Sequence, residues 1–367
     1  MFLQNLSIIN YKNISQSDAE FSPKLNCFVG HNGVGKTNYL DAIYFLSFCK
    51  SSFNSIDSQN IRHNEDFMVI QGDYVHADGR KDNIYCGVKR NHKKQFKRNG
   101  KAYGKLADHI GYIPLVMVSP GDVDIILGGS EDRRRFLDVV ISQYDGQYLY
   151  EIMRYQHALK ERNALLKMET PVDEDLIGAY EDVMADSGEK IHAVRAEFLK
   201  NFTPVFQNFY SQLCRDGEEI NLEYVSNCQS GQLLHQIVQS RPKDQILGFS
   251  LCGIHRDDLK MTLGGYPIKH EGSQGQNKSC LIALKLAQYE FLKIQIHKMP
   301  ILLLDDIFDK LDAMRVERIL NLVASDKFGQ IFVTDTDRNY LSHLMDKVGR
   351  DSHIFEIENG TIVDEVQ

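Results

Sequence analysis

This sequence predicts an α/β fold: a phosphate-binding head assembled from the N- and C-terminal segments of the chain, with a helical arm inserted between them. Three observations carry that reading. Gly30-His31-Asn32-Gly33-Val34-Gly35-Lys36-Thr37 has the form G-x-x-x-x-G-K-[ST], follows an apolar run and opens a helical pattern. Ile301-Leu302-Leu303-Leu304-Asp305-Asp306 reads as a buried strand tipped by two carboxylates. Lys36 and Asp305 stand 269 positions apart, more than one domain of roughly 100–150 residues supplies, and a charged helical stretch fills much of the interval.

The elements follow in order. Phe2–Asn10 alternates in part and predicts a strand, and Leu25–Val29 is a short apolar strand that stops at Gly30. Asn38–Phe48 has helical spacing through Leu40, Ile43, Tyr44 and Ser47. Phe67–Tyr74, Asp82–Lys89 and Leu115–Val118 predict further strands. Asn99-Gly100 is a hairpin turn signal, since both turn positions need positive φ. From Glu131 to about Cys214 the pattern is helical and charged, through Phe136, Val139, Val140 and Gln143, then Leu149, Ile152, Met153, Ala158, Leu159 and Leu166. Thr170-Pro171 is expected to break it, a second helix to run from about Asp173 to Lys200, and Pro204 to interrupt again. Two such helices make an antiparallel arm. Ile246–Met261 and Gly264–His270 read as strands and turns. Asn277–His297 reads as a helix with Leu281, Ile282, Leu284, Leu292 and Ile296 inward. Ile301–Leu304 is a buried strand, Arg315–Ala324 a helix and Gln330–Thr334 another buried strand.

Composition narrows the class. The chain has 367 residues, enough for about two domains or one large one. A hydrophobic fraction of 43%, with 19 Phe and 17 Tyr, excludes a disordered chain. No apolar run approaches the ~20 residues a bilayer needs. No basic segment followed by an apolar one opens the chain, so a cytoplasmic location is expected. Seven scattered cysteines, none spaced as CxxC, predict reduced buried thiols. Net charge is −8, yet Arg80 to Lys105 holds ten Lys/Arg against one Asp. That asymmetry points to a polyanionic partner. Lys89, Arg90, Lys93, Lys94, Lys97, Arg98 and Lys101 are the candidate DNA contacts, through phosphate rather than base. Only Phe96 and Tyr103 lie close enough in sequence to stack.

The glycine loop lets backbone N–H groups wrap phosphate oxygens, and the helix that follows adds a favourable field. Residues Gly30, His31, Asn32, Gly33, Val34, Gly35, Lys36 and Thr37 are therefore the expected ATP cradle. Lys36 neutralises the β and γ phosphates, and Thr37 places its hydroxyl on Mg²⁺. Asp305 is expected to hold Mg²⁺ through water, and Asp306 to polarise the attacking water as general base.

Ser273-Gln274-Gly275-Gln276 precedes a predicted helix and lies upstream of the carboxylate strand. It resembles the signature of ABC-type ATPases, usually Ser-Gly-Gly-Gln, with Ser273, Gly275 and Gln276 as further nucleotide contacts completing the pocket of an opposite subunit. Ile307-Phe308-Asp309-Lys310-Leu311-Asp312 matches the D-loop by position, with Asp309 where Ser or Ala is commoner. Asp335-Thr336-Asp337 follows the last buried strand where ABC transporters have a switch histidine, which leaves γ-phosphate sensing to Thr336 or another group.

With these motifs the chain resembles the RecF family of ABC/SMC-like ATPases over nearly its whole length. Leu6-Ser7-Ile8-Ile9-Asn10-Tyr11-Lys12-Asn13 resembles the family's start, with Tyr-Lys where Phe-Arg is usual. Pro120 through Asp138, with Glu131-Asp132-Arg133-Arg134-Arg135, resembles its central motif, with Ser130 for the usual Pro. Gly253-Ile254-His255-Arg256-Asp257-Asp258 is similar to its Gly-Pro-His-Arg-Asp-Asp. The resemblance implies an ABC-type P-loop ATPase head at 1–130 and 246–367 with an arm at 131–245. It implies a weak DNA-stimulated ATPase that forms an ATP-dependent homodimer on duplex DNA and on single-strand/double-strand junctions. It also implies work with RecR and RecO to load RecA at gaps, in DNA repair and replication. Two other classes stay open at this point: a non-catalytic DNA scaffold switched by ATP, and a transporter's nucleotide-binding subunit. His255 and Arg256 are either a phosphate-sensing pair or a turn salt-bridged to Asp257 and Asp258. Arg133–Arg135 are either ordinary patterning at a helix start or part of that motif's function.

Overall fold

A computed structural model describes residues 1–168, 173–214, 219–308, 313–336, 338–348 and 351–366. In chain order the strands are β1 (Phe2–Tyr11), β2 (Ile14–Glu20), β3 (Leu25–Val29), β4 (Phe67–Val75), β5 (Lys81–Lys89), β6 (Gln95–Arg98), β7 (Lys101–Ala102), β8 (Leu115–Val118), β9 (Ile220–Val225), β10 (Asp258–Leu263), β11 (Tyr266–Pro267), β12 (Ile301–Asp305), β13 (Ile331–Asp335), β14 (Ser352–Glu358) and β15 (Thr361–Val366). The helices are α1 (Lys36–Phe48), α2 (Asp124–Leu127), α3 (Ser130–Ser142), α4 (Gly146–Leu166), α5 (Glu174–Leu213), α6 (Leu233–Leu247), α7 (Ile268–Glu271), α8 (Gln274–Ile296), α9 (Ala313–Val323) and α10 (Arg338–Val348). They divide into two units, Met1–Asp122 with Lys285–Gln367, and Val123–Leu284.

The first unit has two six-stranded sheets. One, in the order β15-β14-β3-β13-β12-β8, is parallel except for the edge strand β15. Strands β3, β12 and β13 are buried along their whole length, as parallel strands covered on both faces are. The other, β2-β1-β4-β5-β6-β7, is antiparallel and buries alternate residues. Helix α1 packs against strands of both sheets. That explains why it is buried nearly all round instead of showing one apolar stripe. Phe21 packs edge-on against Phe332 and Phe355, with ring centroids 4.9 and 5.4 Å away.

The sheet order sets the site. β13 lies between the glycine-loop strand β3 and the carboxylate strand β12, with Asp335 beside Val29 and Thr334 beside Asp305. Three strand ends that are far apart in sequence thus meet at the carboxyl edge, where open α/β sheets bind ligands.

The second unit contains α2–α7, the three-stranded sheet β11-β10-β9 and the start of α8. Its helices differ from expectation. The interruption expected at Pro204 is absent, and α5 continues through it to Leu213. Proline removes one N–H from the ladder. Thr203 Oγ1 donates to Leu199 O at 2.7 Å one position away, and the buried stripe Phe198, Phe202, Phe206 and Phe209 runs straight through the site. The break expected at Thr170-Pro171 lies outside the described residues. Met153, expected inward, is exposed.

The 246–284 segment differs as well. Expected as part of the head, it belongs to the second unit, because β10 pairs along its length with β9 from the expected arm. Helix α6 ends only at Leu247 and a short turn at Ile254–Arg256 precedes β10, so strand begins only at Asp258. Helix α8 begins three residues earlier than its apolar pattern, at Gln274.

Candidate nucleotide-binding site

The loop between β3 and α1 needs its glycines. Gly30, Gly33 and Gly35 have φ of 155°, 82° and 115°, conformations that L side chains rarely adopt. A Cβ on Gly35 would sit 2.6 Å from the Asn13 side chain, whereas one on Gly33 would meet nothing within 4 Å. Gly35 therefore packs inward and Gly33 faces open space. Lys36 is buried, and its ammonium donates to Gly30 O at 2.7 Å and His31 O at 3.0 Å, so the cation lies across the loop. His31, Asn32 and Gly33 are exposed.

Thr37, in the first turn of α1, faces the tip of β12. Its hydroxyl donates to Asp305 Oδ1 at 2.9 Å and reaches Oδ2 at 3.1 Å. Thr334 on the intervening strand donates to Oδ1 at 2.7 Å. Burial pushes the Asp305 carboxyl above its ordinary pKa; bonds from Thr334 and Thr37 oppose that, and Asp306 adds to it. Asp306 has φ 46°, the left-handed region that Asp tolerates better than most residues. Its N–H donates to Thr334 Oγ1 at 3.1 Å, so one threonine holds the Asp305 carboxylate and the Asp306 backbone.

These residues fit ATP with Mg²⁺. The loop supplies backbone amides around open space at Gly33, a buried ammonium and a helix N-terminus. Thr37 and Asp305 form a paired hydroxyl and carboxylate. Mg²⁺ is usually held by one or two carboxylates together with substrate phosphates and water. Among the described residues no group of three or more His, Cys, Asp or Glu could hold a metal by itself.

Two supporting contacts had no assigned role in the sequence reading. Asn13, in the β1–β2 turn, donates Nδ2 to Val34 O at 2.9 Å and accepts from Asn38 Nδ2 at 2.7 Å, clamping the loop to its helix. Asp122, just past β8, pairs with Lys285 at 2.6 Å and accepts from Ser119 N. Their only sequence signal was membership of longer motifs.

In the second unit, Ser273 caps α8. Its Oγ accepts from Gln276 N at 3.2 Å, while Gln276 Oε1 accepts from Ser273 N at 2.8 Å, a reciprocal capping box. Ser273 is exposed and Gly275 half-buried. The D-loop residues Asp309, Lys310, Leu311 and Asp312, and Asp337 after the last strand, lie outside the described residues; Thr336 is exposed.

The turn salt-bridged to Asp257 and Asp258 is not what is found at His255 and Arg256. His255 Nδ1 meets Tyr155 Oη at 2.7 Å and Nε2 meets Ser250 O at 3.0 Å. Arg256 donates to Ser250 O at 2.8 Å. Asp257 is instead paired with Arg195 at 3.0 Å, and Asp258 with Arg133 at 2.7 Å. Arg134 donates to Asp257 O at 2.7 Å. The two arginines after the acidic pair thus hold the second motif in place.

The seven basic candidates do not form one surface. The Asn99-Gly100 turn has φ 51° and 79° as expected. Lys94 is turned inward, paired with Asp57 at 2.7 Å and donating to Cys49 O at 2.5 Å. Arg90 donates to Glu65 O at 3.0 Å. Lys97 lies over the Tyr85 ring, and Arg98, its neighbour on β6, over the Tyr112 ring. Successive strand residues face opposite sides of a sheet. Lys89, Lys93 and Lys101 are exposed, and Phe96 is buried, so it cannot stack on a base.

A parallel sheet with a glycine loop, a carboxylate-tipped strand and the strand between them defines the head of a P-loop nucleotide-binding protein, here in its ABC-type form. The model of the RecF/RecN/SMC N terminal domain family matches residues 2–361, and the chain belongs to that family. It is 58% identical over 362 residues to the "DNA replication and repair protein RecF" of Bacteroides thetaiotaomicron, covering 99% of this chain and 98% of that one. It is 45% identical over 363 residues to the protein of the same description from Porphyromonas gingivalis strain ATCC 33277, covering 99% and 100%. Among solved structures, the recombination mediator protein RecF-ATPrS in the RecFOR pathway superposes with a TM-score of 0.89 at 28% identity, over 100% of this chain and 98% of that one. The Smc head domain of Pyrococcus furiosus, at TM-score 0.60 and 17% identity over 100% of this chain and 96% of that one, shares the fold.

Proposed function

We propose that the chain is an ATP-dependent DNA-binding protein of replication and recombinational repair. In this reading, ATP with Mg²⁺ bound at Lys36, Thr37 and Asp305 joins two copies through the Ser273 signature of the opposite copy. Hydrolysis, with Asp306 as the base, then releases them. The relatives described as DNA replication and repair proteins, and the RecF structure placed in the RecFOR pathway, support this reading. DNA duplexes and junctions, RecR, RecO and indirectly RecA are the corresponding partners, and the ATPase is weak and DNA-stimulated. The observation that carries the proposal is the Thr37–Asp305–Thr334 hydrogen-bonded group, which brings the hydroxyl after the phosphate-binding lysine onto the carboxylate of β12. Sedimentation and DNA binding with no nucleotide, with ADP and with a non-hydrolysable ATP analogue test it. Dimers and tight DNA binding with the analogue alone are expected. Nucleotide-independent behaviour in both assays refutes it.

A further inference from the structure

Around Tyr112 two cations converge on one aromatic ring. The Arg98 guanidinium carbon lies 4.3 Å from the ring centroid and Lys298 Nζ lies 5.6 Å from it. Tyr112 donates its hydroxyl to Asp82 Oδ2, which enriches the ring in electrons and strengthens its hold on cations. That carboxylate is committed elsewhere, with His76 Nε2 at 2.6 Å from Oδ2 and Asn99 Nδ2 donating to Oδ1 at 2.6 Å. Among the described residues neither Arg98 nor Lys298 has a carboxylate within ion-pair distance. Lys298 is exposed, and so are Lys101, which is paired with Arg98 across the hairpin, and Lys105.

The other side of the sheet is different. Lys97 is in one cross-strand row with Tyr85, Gln71, Ser7 and Asp18. The adjacent same-face row holds Asn83, Asp73, Asn5 and Glu20. Three carboxylates thus share the face of Lys97, and they repel a polyanion. Arg98 is in the row of Ile84, Gly72, Leu6 and Ala19, the core side, and stands at the end of β6, next to the edge strand β7 and over the Tyr112 ring.

We propose that Arg98 and Lys298, held on the Tyr112 ring, form a phosphodiester-binding subsite, and that DNA runs along this edge of the sheet rather than across its open face. Two cations on one ring, with no carboxylate within ion-pair distance among the described residues, suit an anion that carries charge at regular intervals. Tyr112 is a positioning residue here, acting through the two cations. The subsite rests on the DNA-binding reading above and adds Lys298, 193 positions beyond the basic run of the sequence.

The test measures duplex affinity of the full chain, with a non-hydrolysable ATP analogue, across a salt series. Arg98→Gln and Lys298→Gln are each expected to lower the log–log salt slope by about 0.9, and the double variant by about 1.8, with little dependence on sequence. Lys81→Gln is expected to leave the slope unchanged. Tyr112→Leu is expected to weaken binding, and Tyr112→Phe, which keeps the ring, to weaken it less. ATP affinity and thermal unfolding check that each variant is folded. A slope that falls with Lys97→Gln but not with Lys298→Gln overturns the subsite and places DNA on the open face. A wild-type chain that binds no duplex with any nucleotide overturns the DNA reading itself.

Discussion

Thr37 Oγ1 sits 2.9 and 3.1 Å from the two carboxylate oxygens of Asp305, a residue 268 positions away. The contact joins the start of α1 to the end of β12. It holds a carboxylate that burial disfavours as an anion at the place proposed for Mg²⁺.

Asp305→Asn follows from that strain. A carboxyl whose folded pKa lies above its unfolded value costs nothing in the acid range, where both states hold the proton. The penalty grows as pH rises through the folded pKa. At neutral pH the nucleotide-free Asn variant is therefore expected to unfold at a higher temperature than the wild type and to lose the stabilisation that ATP with Mg²⁺ gives. Equal melting temperatures without nucleotide would remove the strain argument.

Lys36 and Asp306 separate binding from turnover. Lys36→Met is expected to lose ATP affinity, because the ammonium that lies across the loop is the proposed partner of ground-state phosphate. Asp306→Asn is expected to keep affinity and lose about 10²–10⁴-fold in hydrolysis rate. Asn tolerates the left-handed φ of 46°, so this variant isolates the chemistry, while Ala adds backbone strain. Single-turnover rates with bound ATP decide; near-wild-type turnover in the Asn variant reassigns the base.

Two substitutions part the helix cap seen at Ser273 from the dimer contact proposed for it. Ser273→Ala removes the α8 cap and is expected to cost about 0.5–2 kcal/mol in stability. Ser273→Arg is expected to leave ATP binding by the monomer intact and, if the exposed cap meets the other copy as proposed, to abolish ATP-dependent dimers. Sedimentation of the Arg variant with ATP is the check, and persisting dimers would refute the two-site model.

Lys93 and Lys94 are adjacent and unlike. Lys94→Ala leaves Asp57 and Cys49 O without their cation and is expected to destabilise by about 1–3 kcal/mol. Lys93→Ala, at an exposed position, is expected to stay within about 0.5 kcal/mol. Chemical denaturation of the two variants distinguishes them.

His109 and His255 predict acid sensitivity. Burial lowers each to about 4; the Leu46 and Ser250 carbonyls oppose that, and nearby arginines add to it. Both stay neutral in the fold while the unfolded chain takes up protons below about pH 6.5. Stability is therefore intact above that pH and falls between about 6.5 and 4, by as much as ~1.4 kcal/mol per pH unit for each group. His255→Gln is expected to flatten that fall. An unchanged pH profile of unfolding would show that His255 titrates normally.

Local pattern determined a good deal. The glycine loop, the apolar strand with its two carboxylates and the Asn99-Gly100 turn are each set by neighbouring residues, because positive φ, phosphate approach and burial impose residue types at fixed spacing. The family was legible for the same reason. Pattern failed where distant chain segments decide. Pro204 sits within a helix because four phenylalanines pack along it, and segment 246–284 joins the second unit because β10 pairs with β9. Lys94 and Lys97 looked equivalent in a run of cations. One is turned onto Asp57, and the other shares a face with carboxylates from strands β2 and β4. The sequence by itself specified which chemical groups the chain carries and the order in which strands and loops present them. Only the tertiary structure decided which of those groups meet, because strand order and sheet face depend on pairings between residues as far apart as Val29 and Asp335, which no local period encodes.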